Sequence, residues 1–343
     1  MTTDAPATTQ RVIRMANHPS GALEDSDFEL VELRVPELSD GEALVRTLYL
    51  SLDPAIRVWM NGIDTYVPGI HVGDAMRAGA LGEVVASRNP AYNEGDLVLG
   101  MMEWADYFLA RPGADPLTAV PRRDPVTAYL SVLGVTGLTA YFGMLEVGQP
   151  NEGETVVVSG AAGATGSVAG QIAKIVGCRV VGIAGGPEKC GWVTDELGYD
   201  ACIDYKSEDV SARLRETCPE GIDVFFDNVG GEILDAVLAQ ISLHARVVLC
   251  GAISQYDRAE FAPGPRNVVN LIPQRGRMQG FIVLDYRDRF LDGILQLGQW
   301  LEEGRIRYAE DVVDGLENAP AAFRTLFSGA NTGKLIVKVA DPG

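Results

Sequence analysis

No apolar run in this chain reaches the roughly 18 residues of a membrane span, so no transmembrane helix is expected. Basic residues are scarce. Lys and Arg number 28 against 47 Asp and Glu, a formal net charge of −19. That balance argues against nucleic acid or an anionic membrane as a partner; acidity of this kind serves solubility. Cysteine is also sparse. The five (Cys178, Cys190, Cys202, Cys218 and Cys250) fall in the second half of the chain, none in C-x-x-C spacing. Reduced, mostly buried thiols are expected. Met1 to Gln10 is polar and lacks the apolar core of a signal peptide, which implies a cytoplasmic protein, and residues up to about Thr9 read as disordered. Histidine occurs three times, at His18, His71 and His244. A catalytic zinc needs about three Cys, His or carboxylate ligands. The N-terminal region offers only His18 and His71, with no Gly-His-Glu string and no run of close cysteines. Both histidines read as loop residues, and no metal site is expected.

What is present suits a globular chain of two domains: 343 residues, 47% hydrophobic and 22% charged. From Arg11 to Val120, short β-like runs such as FELVELRVP and EALVRTLYLSL alternate with turns, and helical period is absent. This predicts a mostly β domain. Arg122 to Pro125 is a polar boundary. Val126 to Leu145 is apolar and helix-like, interrupted by Gly134 and Gly137. From Thr155 strands and helices alternate. Strands are expected at 155–159, 178–184, 201–204, 222–227, 246–251 and 278–284, giving an α/β fold with a doubly wound sheet of six parallel strands. Helices are expected at 290–303 and 319–327. A last strand, Lys334 to Val339, returns to the first domain. The domains are thus 1–125 completed by 310–343, and 126–309.

The organising stretch is Thr155 to Lys189. A β-branched strand leads into an A-x-G-x-x-G turn at Ala161, Gly163 and Gly166. Val168, Ile172, Ile175 and Val176 then form the stripe of a helix lying on a sheet. In such a turn the second residue lets the backbone approach a pyrophosphate, and the third lets helix pack on strand. The N–H groups of Ala164, Thr165 and Gly166 open the helix, an anion site. A dinucleotide site is expected. An NAD site carries Asp or Glu at the end of the second strand, but no carboxylate occurs from Val180 to Pro187. Gly185 leaves room for a 2′-phosphate, and Lys189 follows in the first turn of the next helix. A cation there is poorly placed unless an anion sits beside it, so the reading is NADP(H). A solvated surface lysine is the plainer alternative.

Several strings together resemble the zinc-independent branch of the medium-chain dehydrogenase/reductases, the leukotriene B4 dehydrogenase/prostaglandin reductase family, which includes alkenal and curcumin double-bond reductases. They are SLDPAIR (51–57), GLTAYFG (137–143), AAGATGSVAGQIAK (161–174), DNVGGE (227–232), CGAISQY (250–256), RMQGF (277–281) and ANTGKLIVK (330–338). The resemblance implies a GroES-like β domain and NADPH-dependent reduction of a C=C bond conjugated to a carbonyl. It places Tyr256 near the nicotinamide ribose and the substrate, and Tyr66 in the substrate pocket. Tyr205 would lie near the 2′-phosphate, Asn228 by the ribose, Phe281 and Val283 by the nicotinamide on the sixth strand, and Asn331 by the pyrophosphate. Tyr49 and Trp104 are pocket walls or core residues. Ala55 stands where the family has an aromatic, which suggests a wider pocket. Asp227 and Glu232 read as turn and helix-start residues. The expected substrate is a small-molecule enone or enal, large or branched ones included, and a homodimer through the sixth strand is the common arrangement. A quinone oxidoreductase and a non-catalytic NADPH-binding protein remain the alternatives.

Overall fold

The structure, a computed structural model, describes residues 8–260 and 262–343. Two compact units emerge. One runs up to Leu130 and takes Asp311–Ala330 and Leu335–Gly343; the other is Ser131–Glu310 with Asn331–Lys334. The chain order of strands is β1 (Thr9–Met15), β2 (Phe28–Arg34), β3 (Ala43–Ser51), β4 (Arg77–Ser87), β5 (Leu97–Glu103), β6 (Tyr107–Ala110) and β7 (Thr118–Val120). There follow β8 (Thr155–Ser159), β9 (Arg179–Ala184), β10 (Ala201–Asp204), β11 (Ile222–Asp227), β12 (Ile241–Leu249), β13 (Arg277–Gly280), β14 (Glu310–Asp314) and β15 (Lys334–Lys338). The reading of disorder up to Thr9 lies largely outside the described residues, and Thr9 itself opens β1.

In the first unit β1 and β2 form an antiparallel pair, and seven strands form a sheet in the order β14-β15-β3-β4-β5-β7, with β6 paired to β3. Strand β15 does return to this unit, lying antiparallel to β3 with Val337 opposite Leu50. An aromatic cluster anchors the core. Trp104 is fully buried, stacked on Phe28 and met edge-on by Phe323 at a centroid distance of 5.8 Å. Phe323 comes from the helix Ala319–Ser328, so the C-terminal segment completes the core.

The second unit holds six strands in the order β10-β9-β8-β11-β12-β13, the doubly wound arrangement expected. Strand β8, all β-branched apart from Ser159, is buried at every position, as a strand covered on both faces must be. In the helix Ala164–Val176, Val168 and Ile172 are buried and Ile175 and Val176 half-buried; Gly177, at φ +100°, ends it.

Three expectations need correction. The sixth strand is short: β13 stops at Gly280, and Val283–Arg289 is a 3-10 turn. Its LDYRDR string is too charged for a strand interior. Val283 is therefore not on the sixth strand. The apolar stretch from Val126 is broken before the helix at Gly134, as expected, but not at Gly137, which lies inside it. It is a 3-10 turn, Val126–Leu130, then a helix Val135–Phe142. The backbone folds back there so closely that a Cβ on Gly137 would lie 1.8 Å from the Val132 carbonyl oxygen. Asn331–Lys334 belongs to the nucleotide-type unit, because Gly333 N–H donates to Ala162 O and Lys334 N–H to Ala309 O.

Trp104 is thus a core residue. Trp104→Ala is expected to lower unfolding free energy by about 3–5 kcal/mol, read from denaturant titration. A loss well below that, with a raised substrate KM, would instead return Trp104 to a pocket.

Candidate active site

The glycine turn after β8 is built by three different constraints. Gly160 sits at φ +60°, a conformation a side chain resists. At Gly163, the residue before the helix, a Cβ would come 3.2 Å from the Gly160 carbonyl oxygen, a tight fit. A Cβ on Gly166 would come 2.2 Å from the same oxygen, so only glycine lets the helix pack there. Ala161 is buried, its N–H bonded to Ile183 O at 3.1 Å. No side chain caps the helix that Ala164 and Thr165 open, and its first turn carries no acid. Those N–H groups suit an anion.

The second cluster lies at the ends of β9 and β10. A Cβ on Gly185 would come 2.9 Å from both the Tyr205 ring and the Lys206 Cε. Tyr205 is exposed. Lys189, in the helix Pro187–Gly191, donates to the Asn331 carbonyl, so two separately expected residues meet. Carboxylates here include Glu188, in the same helix, and, on β10, Asp204. It accepts from Gly186 N–H at 2.6 Å, Lys206 N–H at 3.0 Å and the Ser207 hydroxyl at 2.7 Å. The Ser207 and Gly186 bonds hold its carboxyl below the usual range. Its charge is thus committed to the protein's own loop.

The third cluster centres on Asp227, fully buried at the end of β11. Its carboxylate accepts from the Ser159 hydroxyl at 2.7 Å, Val229 N–H at 2.9 Å and Gly230 N–H at 3.0 Å. Burial pushes this carboxyl up, against the Gly230, Ser159 and Val229 hydrogen bonds. Asn228 is clamped between strands: its N–H donates to Ser159 Oγ and its amide to Ser159 O. Beyond lies a cavity of about 700 Å³ lined by Gly230, Gly251, Ala252, Tyr256 and Phe281, among others. That is the size of a small-molecule site. Tyr256 ends a short helix, and its hydroxyl accepts the Ala252 N–H at 2.9 Å. Phe281 borders Gly143, where a Cβ would come 2.4 Å from its ring. Val283 is buried at the start of the 3-10 turn and does not line the cavity.

Comparison with known proteins decides the family. Residues 11–118 match the family model described as the N-terminal domain of oxidoreductase, and residues 164–299 that described as zinc-binding dehydrogenase. NADPH-dependent curcumin reductase of Escherichia coli (strain K12) is 42% identical, covering 95% of this chain and 96% of that protein. The NADP(+)-dependent 2-alkenal reductase of Nicotiana tabacum is 40% identical, covering 98% of this chain and 99% of that protein. The crystal structure of CurA in complex with NADPH from Vibrio vulnificus aligns with a TM-score of 0.92 at 41% identity, over 97% of this chain and 100% of that one. The chain belongs to the zinc-independent medium-chain dehydrogenase/reductases of the prostaglandin and alkenal reductase family.

One matched description in this family names zinc, and the donor set here does not answer to it. Among the described residues no three His, Cys, Asp or Glu gather as a metal would require. His18 and His71 both border Gly62, and the His18 ring shares a hydrogen bond with the Met60 carbonyl at 2.7 Å. The reductase pocket residues expected from the β domain divide. Tyr66 is exposed, and Tyr49 is half-buried on β3. Trp104, closed off in the core, cannot wall a pocket. Ala55 packs against that same core. Two residues escaped the sequence reading. Gly160 was signalled by its place directly after the strand, and Lys206 by its place after Tyr205.

Asp227→Ala strands three donors. It is expected to cost at least about 2 kcal/mol, since each buried unsatisfied group costs roughly 1–3 kcal/mol. Ser159→Ala, which keeps the two N–H bonds, should cost less. Equal urea midpoints for wild type and Asp227→Ala would overturn this role.

Proposed function

We propose that the protein reduces the C=C bond of α,β-unsaturated ketones or aldehydes, with NADPH as the hydride source. The observation that carries the reading is Tyr256 on the wall of a cavity at the strand ends, in a chain of this reductase family. The residues fit a dinucleotide phosphate: a glycine cradle that a Cβ would fill, an uncapped helix start, and Lys189, Tyr205 and Lys206 around a strand end where Asp204 is committed to its own loop. Ala161, Gly163, Ala164, Thr165 and Gly166 would hold the pyrophosphate, with Asn331 beside them. Lys189, Tyr205 and Lys206, across Gly185, would hold the 2′-phosphate. Asn228 would meet the ribose side and Phe281 the nicotinamide.

Bound NADPH supplies a hydride to the electron-poor β-carbon. Negative charge then develops on the substrate carbonyl oxygen, and Tyr256 donates a hydrogen bond to it. Accepting the Ala252 N–H polarises that phenol and makes it a better donor. Attack at the β-carbon spreads the charge over an enolate, which one or two hydroxyls can hold; attack on the carbonyl leaves a localised alkoxide. The α-carbon takes its proton from water. Tyr66 and Tyr49 serve the substrate side.

The protein acts as a homodimer in the cytoplasm on this reading. Strand β13 is a sheet edge with exposed Arg277, Gln279 and Gly280, and the segment before it exposes Val269 and Ile272. An open strand edge beside exposed apolar side chains invites pairing. The five free thiols suit a reducing compartment.

Lys189→Ala is expected to raise the NADPH KM about 10- to 100-fold and to leave NADH nearly untouched, the worth of a charge-assisted hydrogen bond. Equal losses with both cofactors would sink the phosphate assignment. With NADPH and a simple enone the product, identified by mass and NMR, should be the saturated ketone, formed more slowly by Tyr256→Phe. An allylic alcohol, or turnover confined to quinones, would overturn the reaction assigned.

A further inference from the structure

Two cysteines stand beside the phosphate site without a role in it. Cys190 follows Lys189 in the helix Pro187–Gly191, and Cys202 lies on β10, two residues before Asp204. Their Sγ atoms are 2.9 Å apart, with the Cys202 S–H donating to Cys190. A disulfide needs about 2.0 Å, so the sulfurs have only about 1 Å to close. Both residues are half-buried, within reach of a small oxidant. Two of the other three thiols face different partners: Cys178 donates to the Asn151 carbonyl and Cys218 meets the Thr217 hydroxyl.

We propose that Cys190 and Cys202 form a reversible disulfide when the protein meets hydrogen peroxide, and that this bond weakens NADPH binding by displacing Lys189. The second part rests on the phosphate role given to Lys189 above. Cys190 is the attacking sulfur. Burial raises both thiols; the S–H of Cys202 offsets part of that rise at Cys190 and adds to it at Cys202, so Cys190 is the easier of the two to deprotonate. In the first step the Cys190 thiolate attacks the peroxide. An S–O bond forms, the O–O bond breaks, and hydroxide leaves to be protonated to water. The Cys202 sulfur then attacks the resulting sulfenic acid. The S–S bond forms, the S–O bond breaks, and the proton of Cys202 leaves with the hydroxide as a second water. Two thiols lose two electrons and two protons, and one peroxide becomes two waters. A small dithiol reverses the change.

The coupling is mechanical. Lys189 and Cys190 are consecutive in a helix of five residues, about 100° apart around its axis. Gly186, just before the helix, is already tied to Asp204 on β10. Drawing Cys190 onto β10 rotates the short helix about that tie, and Lys189 leaves its position beside Asn331.

The test uses the full chain. Reduced protein is treated with hydrogen peroxide, digested without reductant, and searched by mass spectrometry for a peptide joining Cys190 and Cys202. The NADPH Kd is measured by fluorescence before oxidation, after it, and after dithiothreitol. The linked peptide is expected, with a Kd about tenfold weaker, the scale of one charge-assisted hydrogen bond, and full recovery on reduction. Cys190→Ser and Cys202→Ser should bind NADPH as the reduced wild type does and ignore the oxidant. Oxidation of other thiols without the linked peptide overturns the proposal. An unchanged Kd in the linked protein, where Lys189→Ala binds more weakly, overturns the coupling. An unchanged Kd in both overturns the phosphate assignment on which it rests.

Discussion

A single buried carboxylate holds the site's frame. Asp227 ends β11, and its oxygens take the Ser159 hydroxyl from β8 together with the N–H groups of Val229 and Gly230. Strands β8 and β11 are neighbours at the centre of the sheet, where the chain reverses the direction in which it adds strands. Ligands of such sheets bind in the crevice at that reversal. The carboxylate thus ties the two lips of the crevice to each other. It also fixes the turn that carries Asn228 and starts the next helix. Burial raises the cost of its charge, and three donors offset that cost.

The local electrostatics run against the protein's overall charge. The chain carries a net −19, yet the end of β9 presents Gly185, Lys189 and Lys206, and Asp204 beside them is occupied. Asp204 has three donors of its own, so it shapes the loop rather than repelling a phosphate. Lys189 is held by the Asn331 carbonyl, which draws the turn after Ala330 into the nucleotide unit. Lys189 and Cys190 share one short helix.

Much of this was legible in the chain. Periodicity alone separates the strand-rich N-terminal half from the alternating C-terminal half, because strands buried on both faces read as unbroken β-branched runs. The glycine turn was legible because its demands are local: a tight bend and a close helix leave few residue choices. The missing carboxylate after the second strand could be read in the same way. The strings shared with the reductase family pointed to Tyr256, Asn228 and Phe281.

Tertiary structure decided what depends on partners far apart in sequence. Trp104 could be pocket wall or core until Phe28 and Phe323 were seen to close around it. Val283 sat in an apolar string that reads as strand, but the strand ends at Gly280 and Val283 opens a 3-10 turn with the charged residues that follow. Asn331 met Lys189, and Cys190 met Cys202, across separations that no spacing rule spans. The sequence by itself determined the elements, the family and the kind of cofactor, since these rest on local backbone demands and short-range pattern. Only the folded chain determined which side chains share a cavity, a carboxylate or a sulfur contact, since those follow from how strands far apart in the chain lie side by side.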